Sequence, residues 1–165
     1  MIGLDSSDVI YVVDLKNMNF TAISSSQQKE KSDKALPGPR DAFCFVTVAT
    51  TTTTKVKPMY LIGGFKNGMK MNDIYKLHYE NQTFEWEFLD IKQKLKPEVR
   101  SSFGACVQID PHGKEHIFIF GGSGDNNAKY NDIWECDGTQ WTSHKPQTKE
   151  DGLPLEKSGL TLNIY

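Results

Sequence analysis

The chain has 165 residues, 38% of them hydrophobic and 24% charged, with a formal net charge of −2. That length suits one ordinary globular domain, and the balance of charge gives no reason to expect nucleic-acid or membrane-surface binding. No run approaches the roughly 18 apolar residues of a membrane-spanning helix, and Met1-Ile2-Gly3-Leu4-Asp5 lacks the basic and apolar regions of a signal peptide.

The expected location is therefore cytoplasmic. The three cysteines, Cys44, Cys106 and Cys136, fit it: the number is odd, and no pair has CxxC spacing. Cys44 and Cys106 lie in apolar runs, where cysteine acts as a small buried hydrophobe.

Asp8 to Asp14 is β-branched and aromatic, and reads as a strand. Lys16-Asn17 marks a turn, and Phe20 to Ile23 the returning strand. Residues 24–36 are almost wholly polar and read as a solvated connection, closed by Pro37-Gly38-Pro39. From Arg40 the chain runs through a strand over 42–49, a threonine tract, and a second strand, Pro58 to Ile62, that ends in Gly63-Gly64. A loop from Phe65 to Met71, a third strand over 73–78 and a fourth over 84–89 follow.

The plan then recurs. Arg100 and Phe103 answer Arg40 and Phe43, and Ile117-Phe118-Ile119-Phe120-Gly121-Gly122 answers Met59-Tyr60-Leu61-Ile62-Gly63-Gly64. Asn131-Asp132-Ile133-Trp134 answers Asn72-Asp73-Ile74-Tyr75, and Trp141 answers Trp86. Separations of 55 to 60 residues in unchanged order make this an internal repeat. Asp137-Gly138 is a hairpin turn signal. Lys157 stands where Arg40 and Arg100 stand, and 159–165 reads as a further first strand. In the opening segment Asp8 is set against Asp73 and Asp132, and Phe20 against Trp86 and Trp141.

This ordered pattern of arginine, Gly-Gly strand, Asn-Asp-aromatic strand and tryptophan resembles the kelch repeat, one blade of a β-propeller. The resemblance implies an all-β fold of four-stranded antiparallel blades in an incomplete ring. Its parts are the second half of a blade (1–24), full blades at 37–90 and 97–146, and the first strand of another at 153–165. The structural motif is Arg40, Gly63, Gly64, Tyr75 and Trp86, repeated as Arg100, Gly121, Gly122, Trp134 and Trp141, with the arginines expected to hydrogen-bond between blades. Pooling both ends still leaves the Gly-Gly strand of the first blade absent. Two copies forming a six-bladed ring would carry a gap in each half, and open blade faces are expected to self-associate.

Candidate chemistry is sparse. His112 and His116 flank a turn near Cys106 and do not make a metal-ligand set, and no P-loop, GxSxG or HExxH motif occurs. Gly121-Gly122-Ser123-Gly124 lacks the lysine and helix of a phosphate cradle. Asn19 and Asn81 begin sequons of N-x-T form. No cofactor is expected. The function that follows is a non-catalytic module presenting loops to a protein or peptide. Lys66, Asn67 and Lys70 in the first full blade, and Asp125, Asn126, Asn127 and Lys129 in the second, are the candidate contacts. The alternative is part of a kelch-type enzyme, an oxidase, epimerase or specifier-type lyase.

Overall fold

The computed structural model describes residues 2–4, 9–24, 36–48, 57–80, 83–144 and 154–163. The threonine tract at 50–54 and Asn81 lie outside them. The described strands form three sheets, each a meander of consecutive antiparallel strands. The first sheet is β1 (Ile2–Leu4), β2 (Val9–Asp14) and β3 (Asn19–Ser24). The second is β4 (Cys44–Thr47), β5 (Met59–Lys66), β6 (Met69–Glu80) and β7 (Thr83–Phe88). The third is β8 (Gly104–Ile109), β9 (Glu115–Phe120), β10 (Ile133–Cys136) and β11 (Trp141–His144). The fold is all-β, and its four-stranded units are propeller blades in an incomplete ring.

Both faces of the second sheet are covered, which is why its central strands are apolar at successive positions. Leu61, Tyr75, Leu77, Phe84 and Trp86 point one way and pack with Ile10 of the first sheet. Tyr60, Ile62 and Ile74 point the other way and pack with Ile117, Ile119, Trp134, Cys136 and Trp141 of the third. Each such side chain, taken fully out of water, contributes about 1.5–3 kcal/mol. A blade thus has a near face, aromatic and turned to the preceding blade, and a far face turned to the next.

The opening sheet corrects the expectation of a half blade. Ile2–Leu4 forms a strand, and Leu4 pairs with Ile10 as Ile62 pairs with Ile74. The slot of the Gly-Gly strand is therefore filled, without its glycines. Three residues too short and too weakly patterned to read as a strand gain their place from pairing. The same register puts Val9, not Asp8, level with Asp73. Phe20 pairs with Val13 as Trp86 pairs with Leu77, so it does hold the tryptophan position.

Two further expectations change. Phe65 to Met71 is not an open loop: β5 and β6 continue to a two-residue turn at Asn67-Gly68, whose φ angles of 50° and 80° are those of a tight hairpin. Residues 159–163 are not a strand, because no described strand lies beside them to pair with. Their backbone is nonetheless seated. Gly122 N donates to Lys157 O (2.8 Å), Lys157 N to Tyr130 O (3.2 Å) and Gly159 N to Ser102 O (2.7 Å). These match Gly64 N to Arg100 O (3.1 Å), Arg100 N to Met71 O (3.0 Å) and Ser102 N to Ala42 O (2.9 Å). Lys157 occupies the arginine register.

Candidate partner-binding face

The ends of the Gly-Gly strands are held by buried arginines. Arg40 donates from Nη1 to Gly63 O (3.0 Å) and Asp73 Oδ1 (2.8 Å), and from Nη2 to Asp73 Oδ2 (3.1 Å) and Pro37 O. Arg100 donates from Nη1 to Gly121 O (2.9 Å) and Asp132 Oδ1 (2.7 Å), from Nη2 to Asp132 Oδ2 (2.9 Å), and from Nε to Glu98 O (3.1 Å). The forked guanidinium fits a carboxylate with two parallel bonds. Each side chain thus ties its own blade, not two blades as the resemblance implied. It is the Arg100 backbone that crosses to the blade before.

The glycines are required here by contact as well as by φ. A Cβ on Gly63 (φ +54°) would stand 3.0 Å from the Phe103 ring and 3.1 Å from Arg100 O of the next blade. On Gly64 (φ +99°) it would stand 2.7 Å from Asp41 O and 2.8 Å from Phe43 Cβ. Gly121 and Gly122 repeat both relations, with Leu160 in the place of Phe103 at Gly121.

Around this frame the loops are fastened by polar side chains. Asn72 Nδ2 donates to Pro97 O (2.9 Å) and Asn131 Nδ2 to Pro154 O (3.4 Å), each anchoring the loop that enters the next blade. Pro37, Pro97 and Pro154 all stand three residues before Arg40, Arg100 and Lys157, a further landmark of the repeat. The candidate lysines are fasteners too. Lys66 Nζ donates to Pro37 O (2.8 Å), Lys70 Nζ crosses to Ser123 Oγ (3.3 Å) and Gly124 O, and Lys129 Nζ reaches Ser158 Oγ (2.9 Å).

Asn67, Asp125, Asn126 and Asn127 are exposed. Asn126 and Asn127 have φ of 53° and 62°, a left-handed conformation that asparagine tolerates better than most residues. On the inter-blade loops Leu95 and Leu155 are exposed, by 63% and 76%. Neither leucine stood out in the sequence, since exposure of a loop residue has no periodic signature. Beside Leu155 lies an open groove of about 480 Å³ lined by Asn131, Pro154, Leu155 and Glu156. The anchored loops therefore offer amides, carboxylates at Asp125 and Glu156, and apolar side chains at Leu95 and Leu155.

The histidines lie elsewhere. On the far face of the third sheet His116 Nδ1 is 2.6 Å from Glu135 Oε1, and His144 Nε2 is 2.5 Å from Glu135 Oε2. His116 Nε2 is 3.4 Å from Asp110 Oδ2. Strand register assembles this set, which no spacing in one strand reveals. Among the described residues no group of three or more His, Cys, Asp or Glu side chains is arranged to hold a metal ion. Burial pushes the Cys44 thiol up to about 12 and the Cys136 thiol up to about 11, and raises Cys106 as well, so these thiols are poor nucleophiles. No described helix is long and apolar enough to cross a membrane.

No protein-family model matches the sequence. Over 84 residues, 46% of this chain, it is 33% identical to a "Dynein heavy chain-like protein 2" of Plasmodium falciparum (isolate 3D7), of which that match is 2%. Among solved structures it is similar to YjhT, a β-propeller, with a TM-score of 0.56 and 13% identity over 93% of this chain. The chain covers 41% of YjhT, so it spans well under two thirds of either relative.

Proposed function

We propose that this chain is a non-catalytic, kelch-type interaction module that binds a protein or peptide on the face at the Gly-Gly ends of its blades. The observation that carries this reading is the exposure of Leu95 and Leu155 on the inter-blade loops and of the polar tips at Asn67 and Asp125–Asn127, all on loops fastened to a packed scaffold. Apolar anchors rimmed by polar groups are what a peptide-binding surface needs, and loops on rigid strands present them at little entropic cost. Lys66, Lys70 and Lys129 set the shape of the face and leave direct contact to their neighbours. The cysteines are free, which fits a reducing compartment, and we place the chain in the cytoplasm.

The test is selection from a random peptide display library on the immobilised 165-residue chain. Selected peptides are expected to lose binding to a variant carrying Leu95→Ser, Leu155→Ser and Asp125→Ala. They are expected to keep it for Leu15→Ser with Met18→Ser, two exposed residues at the opposite end of the first sheet. The reverse pattern, or no enrichment, overturns the assignment.

A further inference from the structure

The chain has a net charge of −2, yet its lysines are not neutralised evenly. Lys76 and Lys114 each pair with a carboxylate, Glu115 Oε2 and Asp137 Oδ2, both at 2.6 Å. Lys66, Lys70 and Lys129 instead donate to carbonyl and hydroxyl oxygens. Such bonds fix an ammonium group without cancelling its charge. The loop from the second sheet to the third adds three more lysines. Leu89 and Ile91 at its start pack against the core those sheets share. In its middle Gln93 bonds both peptide groups of Trp141: Nε2 donates to Trp141 O (2.9 Å), and Oε1 accepts from Trp141 N. At its end Pro97 is buried and its carbonyl is held by Asn72. Between these fastenings Lys92, Lys94, Leu95 and Lys96 are exposed. Lys92 Nζ is 3.6 Å from Asp90 Oδ2, but with side chains 83% and 64% exposed the pair is screened by water. The contact with Asn72 also brings the loop to the base of the hairpin that carries Lys66 and Lys70.

We propose that the partner segment is acidic, with one apolar side chain seated on Leu95 and carboxylates set against Lys92, Lys94 and Lys96. This rests on the interaction-module reading and adds the chemistry of the ligand. The apolar contact supplies affinity, and the lysines around it supply rate and selection. Lys66 and Lys70 strengthen the positive field without touching the segment. The same charges reject a basic segment, which would be left with unpaired like charges on binding. Because Gln93 and Asn72 already hold the loop, little ordering is left to oppose binding. A peptide is favoured over an anionic bilayer because one leucine offers little apolar area to insert.

The probes are the peptides selected on the immobilised chain, labelled and measured by fluorescence anisotropy. They are expected to carry net negative charge. Their affinity should fall about tenfold or more as ionic strength rises from about 0.01 to about 1 M, which shortens the Debye length from about 30 to about 3 Å. That series needs no variant. Lys92→Glu, Lys94→Glu and Lys96→Glu together alter only exposed side chains, and should weaken binding about a hundredfold with an unchanged far-UV circular dichroism spectrum. The same peptides remade with Lys for Asp and Glu should bind that variant better than the parent. Lys16→Glu, at an exposed lysine of the first sheet, should change affinity by less than about twofold. Selected peptides that are neutral or basic, or that bind equally across the salt series, overturn the acidic partner and leave the interaction module standing. Failure to enrich any peptide overturns both. Co-flotation of the chain with phosphatidylserine vesicles in place of peptide enrichment, lost in the triple variant, assigns the loop to an anionic lipid surface and also overturns the proposal.

Discussion

The second and third sheets share an arginine–carboxylate staple but set it differently. Arg40 lies over Tyr75 of its own third strand at 5.4 Å, and its Nε is the one buried side-chain polar atom without a partner among the described residues. Arg100 lies over Tyr130 of the loop at 4.4 Å and satisfies Nε at Glu98 O. The carboxylates differ in the same sense. Asp73 is 12% exposed and takes its side-chain bonds from Arg40, whereas Asp132 is 34% exposed and also accepts from Trp134 Nε1 at 2.7 Å. The better-satisfied arginine thus faces the less dependent acid. What decides the cost of losing an arginine is how far the acid left behind is cut off from water.

That contrast orders the expected effects. Arg40→Met leaves Asp73 enclosed without its partner, and should destabilise by about 3–5 kcal/mol in urea unfolding. Arg100→Met should cost about 1.5–3 kcal/mol, because water and the Trp134 indole still reach Asp132. Equal losses would break the comparison. Arg40→Met combined with Asp73→Leu should recover most of the first loss, since an apolar pair can replace a buried ion pair.

Next in size are the glycines that crowd the staple. Gly64→Ala should destabilise by about 2–3 kcal/mol, from positive φ and from contact with Asp41 O and Phe43. Gly68→Ala at the hairpin turn, where nothing lies within 4 Å, should cost about 1 kcal/mol from φ alone. The difference between the two thermal or urea midpoints isolates the contact.

The indole bond gives a pH test. At Asp132 burial opposes ionisation, but hydrogen bonds from Arg100 and Trp134 and the arginine's charge outweigh it and hold the carboxyl below its ordinary 3.8. Stability from this group is present above the unfolded value and lost as pH falls through the folded one. Trp134→Phe should raise the folded value, so that the acid loss begins at higher pH, with about 1.5 kcal/mol lost near neutrality. An acid limb that does not move would show that Arg100 alone sets the carboxyl. The smallest effect belongs to Asp125→Ala on the exposed loop, within about 0.5 kcal/mol of the parent.

Much of this was legible because a repeat constrains each landmark twice. Gly63-Gly64 and Gly121-Gly122 marked strands, and Trp86 and Trp141 marked core, from position alone. Ile2–Leu4 was not legible, since a three-residue strand depends on β2 for its pairing. Asn67-Gly68 carries a hairpin signal, but the polar residues around it, Lys66 and Lys70, read equally as a loop between strands two and three. The lysines of the candidate face read as free charge, because the acceptors that hold them, carbonyls of Pro37 and Gly124 and hydroxyls of Ser123 and Ser158, lie 29 to 54 residues away or have no pattern of their own. Leu95 and Leu155 were hidden for a related reason: a loop leucine declares nothing until the scaffold shows that it is left uncovered.

One set of stitches between blades is made by peptide groups, Arg100 N to Met71 O and Lys157 N to Tyr130 O among them. Every residue but proline carries such a donor, and Lys157 shows that the stitch holds with another side chain in place. A duplicated stretch of coding sequence would therefore arrive with these backbone connectors already compatible, whatever had drifted in the parent copy. Blade number can then change by recombination with this backbone set in place at the new boundary before side-chain pairs such as Lys76–Glu115 have evolved there.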